Sequence, residues 1–202
     1  MGVSSLSILL HEIIKLVYYA KCKNVNFFRI GTSGGLGVEP GTICIANSAV
    51  DELLRPFYEL HINGKIVFRP AILNSALSAE LESFAKENIL FPVKIGKTMC
   101  AYDFYEAQTR LDGAFSNLNI EDKLKRLQTI SDAGVVNIEM EAVAFASMCR
   151  YAGIPAAVVC VTLVNRLEGD QIKSSKAECE ELQQRPQRFM LEFIKKRLSQ
   201  NL

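Results

Sequence analysis

Residues Val135–Val164 read VVNIEMEAVAFASMCRYAGIPAAVVCVTLV, and their order decides the fold class. Val135–Glu139 has the β-branched content of a short strand. It runs straight into a helical stretch from Glu141 to Tyr151, which Gly153 stops and Pro155 keeps from resuming. Ala156–Val164 is an uninterrupted, valine-rich apolar run, the pattern of a strand covered on both faces. A strand, a helix and a buried strand in immediate succession predict an α/β fold.

The flanks repeat this alternation. Upstream, Glu121–Ala133 predicts an amphipathic helix closed by Gly134, Val93–Cys100 a strand, and Ala76–Asn88 another helix. Asn63-Gly64, between Leu60–Ile62 and Ile66–Phe68, is a hairpin signal. Thr42–Ala46 reads as a strand after the Pro40-Gly41 turn. Val25–Ile30 reads as a strand leading into a glycine-rich loop, Gly31–Gly37. The first helix passes through Leu9, Ile13, Leu16 and Val17, with Ser4 and Ser5 as caps and Asn24 at its end. Downstream, Glu178–Leu198 is a charged amphipathic helix that Pro186 is expected to break or kink. With no internal repeat or linker, residues 1–202 read as a single domain.

Composition excludes several classes of partner. The chain has 202 residues, 23 basic against 22 acidic side chains, and a formal charge of +1. That balance gives no footprint for nucleic acid or for an acidic membrane. Any bound anion must be held by a few placed residues. No apolar run is long enough to span a bilayer. The cysteines have no metal-clip spacing and fit reduced, mostly buried thiols, so a cytosolic setting is expected. His11-Glu12-Ile13-Ile14-Lys15 starts like a zinc-protease helix, but Lys15 stands where the second histidine must be. No Gly-x-Ser-x-Gly turn supports a serine hydrolase.

Four polar segments remain as candidates. In Arg29-Ile30-Gly31-Thr32-Ser33-Gly34-Gly35, a strand end, glycines, hydroxyls and a guanidinium could cradle an anion, or could be a tight connection. It is neither a dinucleotide fingerprint nor a P-loop. In Asp103-Phe104-Tyr105-Glu106-Ala107-Gln108-Thr109-Arg110, an amide and a guanidinium two apart can read a ring edge with two carbonyls and an N–H. An exposed polar turn is the alternative. Asn137-Ile138-Glu139-Met140-Glu141 lies at a strand-to-helix junction, where ligands gather in open α/β sheets. There Glu141 could accept from sugar hydroxyls or simply complement a helix N-terminus. Asn165-Arg166-Leu167-Glu168-Gly169-Asp170-Gln171-Ile172 follows the most buried strand, as a functional or a structural loop.

In this order, these segments resemble the animal-type uridine phosphorylases of the nucleoside phosphorylase superfamily. The resemblance runs from Met1 into the last helix, through Gln184-Arg185-Pro186-Gln187-Arg188. It implies the nucleoside-phosphorylase fold, a central mixed β-sheet flanked by helices. It implies Arg29 and Thr32 as phosphate ligands, with Thr32 also facing ribose. Gln108 and Arg110 would bind the uracil carbonyls and ring N–H, with Phe104 as an aromatic wall. Met140 and Glu141 would meet the ribose, Arg166 the 4-carbonyl side and Ile172 the 5-position. Ala107 and Thr109 stand where relatives often carry glycine, a change that tightens the loop aiming Gln108.

The resemblance further implies reversible phosphorolysis of uridine to uracil and ribose 1-phosphate, without metal or organic cofactor, in a homodimer or larger homo-oligomer. Met1-Gly2 falls inside a His-Gly-Met-Gly-like stretch of that family. The segment preceding it there, with the first strands, further phosphate arginines and a histidine shared between subunits, is therefore expected to be missing. Unpaired sheet edges and exposed apolar surface should follow. Two other readings stay open: a purine-specific phosphorylase, and a non-catalytic short form or dimerisation partner.

Overall fold

The computed structural model describes residues 1–88 and 90–199. Helix α1 (Gly2–Tyr19) precedes strands β1 (Phe27–Gly35) and β2 (Ile43–Val50) and a hairpin of β3 (Phe57–Ile62) and β4 (Lys65–Pro70). Then follow α2 (Ser75–Glu87), β5 (Val93–Cys100), α3 (Ile120–Asp132), β6 (Val135–Glu139), α4 (Ala142–Tyr151), β7 (Ala156–Asn165) and α5 (Lys176–Ser199). Among the described residues the main sheet has the order β1-β6-β5-β2-β7 and closes into a barrel. It is mixed: β1–β7, β2–β5 and β5–β6 are parallel, while β1–β6 and β2–β7 are antiparallel.

Local chemistry accounts for most element ends. The Asn74 side chain accepts from the Leu77 N–H at 2.8 Å and starts α2, and Asn119 does the same for α3 with Asp122 at 2.9 Å. Such caps satisfy amides that have no helical partner. Asn63 (φ 49°) and Gly64 (φ 72°) form the two-residue hairpin turn, which needs positive φ at both positions.

Strand β7 is buried on both sides, as its sequence demands. Val158 and Cys160 pack with α4 residues such as Val143 and Phe145, while Val159 and Val161 pack with Leu81 of α2 and Phe189 of α5. Edge-to-face contact of Phe84 with Phe189, centroids 5.3 Å apart, adds about 0.5–1.5 kcal/mol beyond area burial.

Three expectations are corrected. The glycine-rich run is not a loop: Gly31–Gly35 continues β1, paired to β7 with a bulge at Ser33/Gly34. Parallel pairing to a long buried neighbour overrides the local turn propensity. Helix α1 begins at Gly2 with Met1 as cap, so Ser4 and Ser5 lie within it. Pro186 does not break α5, which runs through it with the ring buried. The expected open edge is confined to one stretch. The barrel closes through Gly34 and Gly35 alone, and from Phe27 to Ser33 β1 pairs strands only on its β7 side among the described residues. Apolar surface is exposed along α1 at Ile8, Leu9, Leu16, Tyr18 and Tyr19. Among the described residues no helix is long and apolar enough to cross a membrane.

Candidate active site

The C-terminal end of β1, the loop after β5, the β6–α4 junction and the loop after β7 converge on one cavity of about 640 Å³. Every residue singled out from the sequence lines it. Arg29 and Thr32 come from β1; Phe104, Gln108 and Arg110 from the loop after β5; Met140 and Glu141 from the junction; Arg166 and Ile172 from the region after β7. Gln108, Arg110 and Arg166 are buried, whereas Thr32, Phe104 and Ile172 are exposed.

At one part of the cavity Arg29 meets two carboxylates. Its Nη2 lies 2.7 Å from Glu139 Oε2 and also donates to Glu141, while Nη1 donates to Cys160 Sγ at 3.0 Å. Burial alone would lower the Arg29 guanidinium, but Cys160, Glu139 and Glu141 outweigh it and hold it above its ordinary value. Burial dominates at Glu139 and raises its carboxyl despite Arg29 and the Ala142 amide. At Glu141 burial is outweighed by Arg29 and by the Gly2 N–H, and the carboxyl is lowered. The Cys160 thiol is pushed up to about 11 by burial.

Glu139, not Glu141, complements the start of α4. It accepts from the Glu141 N–H at 2.9 Å and the Ala142 N–H at 2.9 and 3.0 Å. Glu141 is thereby left with its carboxylate directed at Arg29 and the N-terminus of α1. A substitution at Glu139 should therefore disturb both the helix start and the guanidinium beside it.

The other part of the cavity is a network of buried charge. Arg166, 1% exposed, donates from Nη1 to Gln108 Oε1 at 3.1 Å and from Nη2 to the Gln108 carbonyl at 2.8 Å. Its Nε holds Asp170 Oδ1 at 3.0 Å. Arg110 grips Asp112 through Nε and Nη2, and stacks over Phe104 with 4.4 Å between guanidinium carbon and ring centroid. Asp170 further accepts from Lys123 and the Leu111 N–H. Burial would raise its carboxyl, but those donors and Arg166 hold it below the ordinary aspartate range.

The glycines of β1 serve these arginines. A side chain at Gly34 would meet Arg166 Cγ at 2.8 Å, and one at Gly31 would meet Arg29 Nη1 at 3.0 Å. The run thus lets two guanidinium stems lie flat on a strand. Sequence reasoning assigned no role to Glu139 or Asp170, although both stand inside quoted segments. It missed Asp112, Lys123 and the α1 residues Ser5, Leu6 and Leu9 that line the cavity. Acidic residues one or two places from a candidate arginine were the available signal.

This fold and this arrangement of side chains define a class. The family model described as "Phosphorylase superfamily" matches residues 1–195, and the chain belongs to that superfamily. Within it, the chain is 48% identical over 198 residues to uridine phosphorylase 1 of Mus musculus and 50% identical over 198 residues to uridine phosphorylase 2 of Homo sapiens. Those alignments cover 98% of this chain but 64% and 62% of the relatives, so the chain spans under two thirds of their length. An inactive uridine phosphorylase B of Schistosoma mansoni is 42% identical over 196 residues, covering 96% of this chain and 66% of that protein. The crystal structure of S. mansoni uridine phosphorylase in complex with 5-fluorouracil superposes with a TM-score of 0.95 at 44% identity, covering 98% of this chain and 70% of that one.

Proposed function

We propose that the cavity is a uridine phosphorolysis site, releasing uracil and ribose 1-phosphate in pyrimidine salvage and nucleoside catabolism. The single observation behind this reading is the gathering of one amide and two guanidinia, Gln108, Arg110 and Arg166, in the same cavity as the Arg29–Glu141 pair. An amide with two cationic donors suits a ring edge of carbonyls around an N–H. No carboxylate is needed there, unlike a site built to bond a purine ring nitrogen.

In this mechanism an oxygen of phosphate forms a bond to the sugar carbon as the glycosidic bond breaks. The electron pair of that bond leaves with the uracil nitrogen, and the base anion later takes a proton from water. Phosphate needs no general base, so the task is positioning. Gln108, Arg110 and Arg166 meet the charge developing on the base oxygens. Arg29 and Thr32 receive phosphate. Glu141 must then leave Arg29, because two anions compete for one guanidinium, and it becomes available to the ribose hydroxyls beside Met140. Phe104 and Ile172 wall the base. No metal or organic cofactor takes part. The setting is the cytosol, and the assembly a homodimer or larger homo-oligomer.

A second reading, a non-catalytic form, is favoured by one observation. Arg29 already faces both Glu139 and Glu141, and Arg110 and Arg166 are each paired to an aspartate, so little uncompensated charge is offered to phosphate. Phosphate-dependent release of uracil from uridine, with inosine as competitor substrate, separates the readings. The enzyme reading expects uridine turnover and no inosine turnover. Inosine cleavage would contradict the pyrimidine assignment, and uracil binding without turnover would favour the non-catalytic form.

A further inference from the structure

Helix α3 buries the wrong residue by the usual rule. Lys123 is 5% exposed on a face shared with Leu127 and Ile130, while Ile120 and Leu124 of the same helix are exposed. Turning an ammonium inward and a leucine outward incurs a desolvation cost that packing alone does not recover. The compensation is specific: Lys123 Nζ lies 2.7 Å from Asp170 Oδ2. Asp170 Oδ1 takes Arg166 Nε at 3.0 Å, and the Asp170 carbonyl takes Arg110 Nη2 at 3.1 Å. Arg110 is itself paired to Asp112.

Among the described residues this cluster joins three cations, Lys123, Arg110 and Arg166, to two carboxylates, Asp112 and Asp170. Without Lys123 the charges would cancel. With it, one positive charge is left over in a weakly screened place. Asp170 and both arginines line the cavity, whereas Lys123 stands behind them.

We propose that Lys123 is a positioning residue that sets the charge of the base pocket: by sharing Asp170 it leaves Arg166 under-compensated, so the pocket favours a base carrying negative charge over a neutral one. The proposal rests on the reading of this pocket as a uracil site. It places the origin of the surplus charge on a helix that never touches the base.

Isothermal titration of the full chain with uracil and with 5-fluorouracil tests this, at a pH where the fluorinated base is ionised and uracil is largely neutral. Lys123→Met keeps the stem and removes the charge. It should weaken 5-fluorouracil about tenfold or more, the usual loss for a charged partner withdrawn from a buried group, and uracil by no more than about threefold. Lys123→Arg should restore most of the difference. The double variant Lys123→Met with Asp170→Asn removes one charge of each sign and should keep the preference for the ionised base; it also carries the test if the single variant does not fold. Equal weakening of both bases by Lys123→Met, or no change, overturns the proposal, as does loss of the preference in the double variant. Failure of the unmutated chain to bind either base overturns the uracil-site reading itself, and the role of Lys123 with it.

Discussion

Replacing Gly34 by alanine should damage both stability and base binding through a single steric conflict. A methyl group at this position would sit 2.8 Å from Cγ and 3.0 Å from Cδ of Arg166. Gly34 is not among the glycines with positive φ, so alanine can adopt its backbone and the conflict is purely one of space. Arg166 cannot step aside cheaply, because its guanidinium is fixed by Asp170, by Gln108 Oε1 and by the Gln108 carbonyl. Overpacking such a site costs about 1–3 kcal/mol. In a chain of this size each kcal/mol lowers Tm by about 2–4 °C. Because Arg166 and Gln108 move together, uracil affinity should fall as well, roughly tenfold for each 1.4 kcal/mol lost from binding. Calorimetric unfolding and titration with uracil measure the two effects. An alanine variant with unchanged Tm and unchanged uracil Kd would refute the reasoning that this glycine exists to let the arginine stem pass.

Other consequences are equally open to measurement. Arg110→Ala should lower uridine turnover by about a hundred- to a thousand-fold, the usual loss of one transition-state donor, and near-normal turnover would remove Arg110 from the site. Thr109 holds a left-handed conformation, φ 53° and ψ 36°, between Gln108 and Arg110. Relief of that strain, about 1–2 kcal/mol, less the entropy glycine costs, should make Thr109→Gly stabilising by up to about 1 kcal/mol in urea unfolding; a lower midpoint contradicts this. The Asp170 carboxyl, despite burial, is held below its ordinary 3.8 by Lys123, Leu111 and Arg166. A lowered acid stabilises the fold fully above its unfolded value and loses that contribution as pH falls through its folded value. Unfolding midpoints followed from about pH 5 to about pH 2 should therefore fall less steeply for Asp170→Asn than for the parent, and parallel curves would contradict the linkage. Cys22 is exposed, while Cys44, Cys100, Cys149 and Cys160 are buried. A disulfide reagent should titrate Cys22 fast and the buried thiols only after denaturation, and rapid loss of Cys160 would contradict the packing behind Arg29.

Elements whose signal is a long local pattern were legible in the sequence. The strands Val93–Cys100 and Val135–Glu139 have the bounds their residues suggest, and the Asn63-Gly64 hairpin closes as its turn chemistry requires. The glycine run misled, since glycines that admit a neighbour's side chain look the same in sequence as glycines that bend a chain. Gly34 becomes intelligible only beside Arg166, which is far along the chain. The positions of the site residues were legible through the family resemblance, while their partners were not. Lys123 on an amphipathic helix reads as a solvated face, and only the rotation of α3 against Asp170 buries it. Glu139 was quoted in its segment without a task, because its bonds to the Ala142 amide and to Arg29 depend on how β1 and β6 come together.

The central claim is that Gln108, Arg110 and Arg166 together face a uracil ring. A crystal structure of this chain with uracil tests it most directly. The account predicts the carbonyl edge of the ring against those side chains, with Phe104 and Ile172 beside it. Uracil bound elsewhere, or bound in the cavity with its carbonyls away from all of these groups, would contradict it.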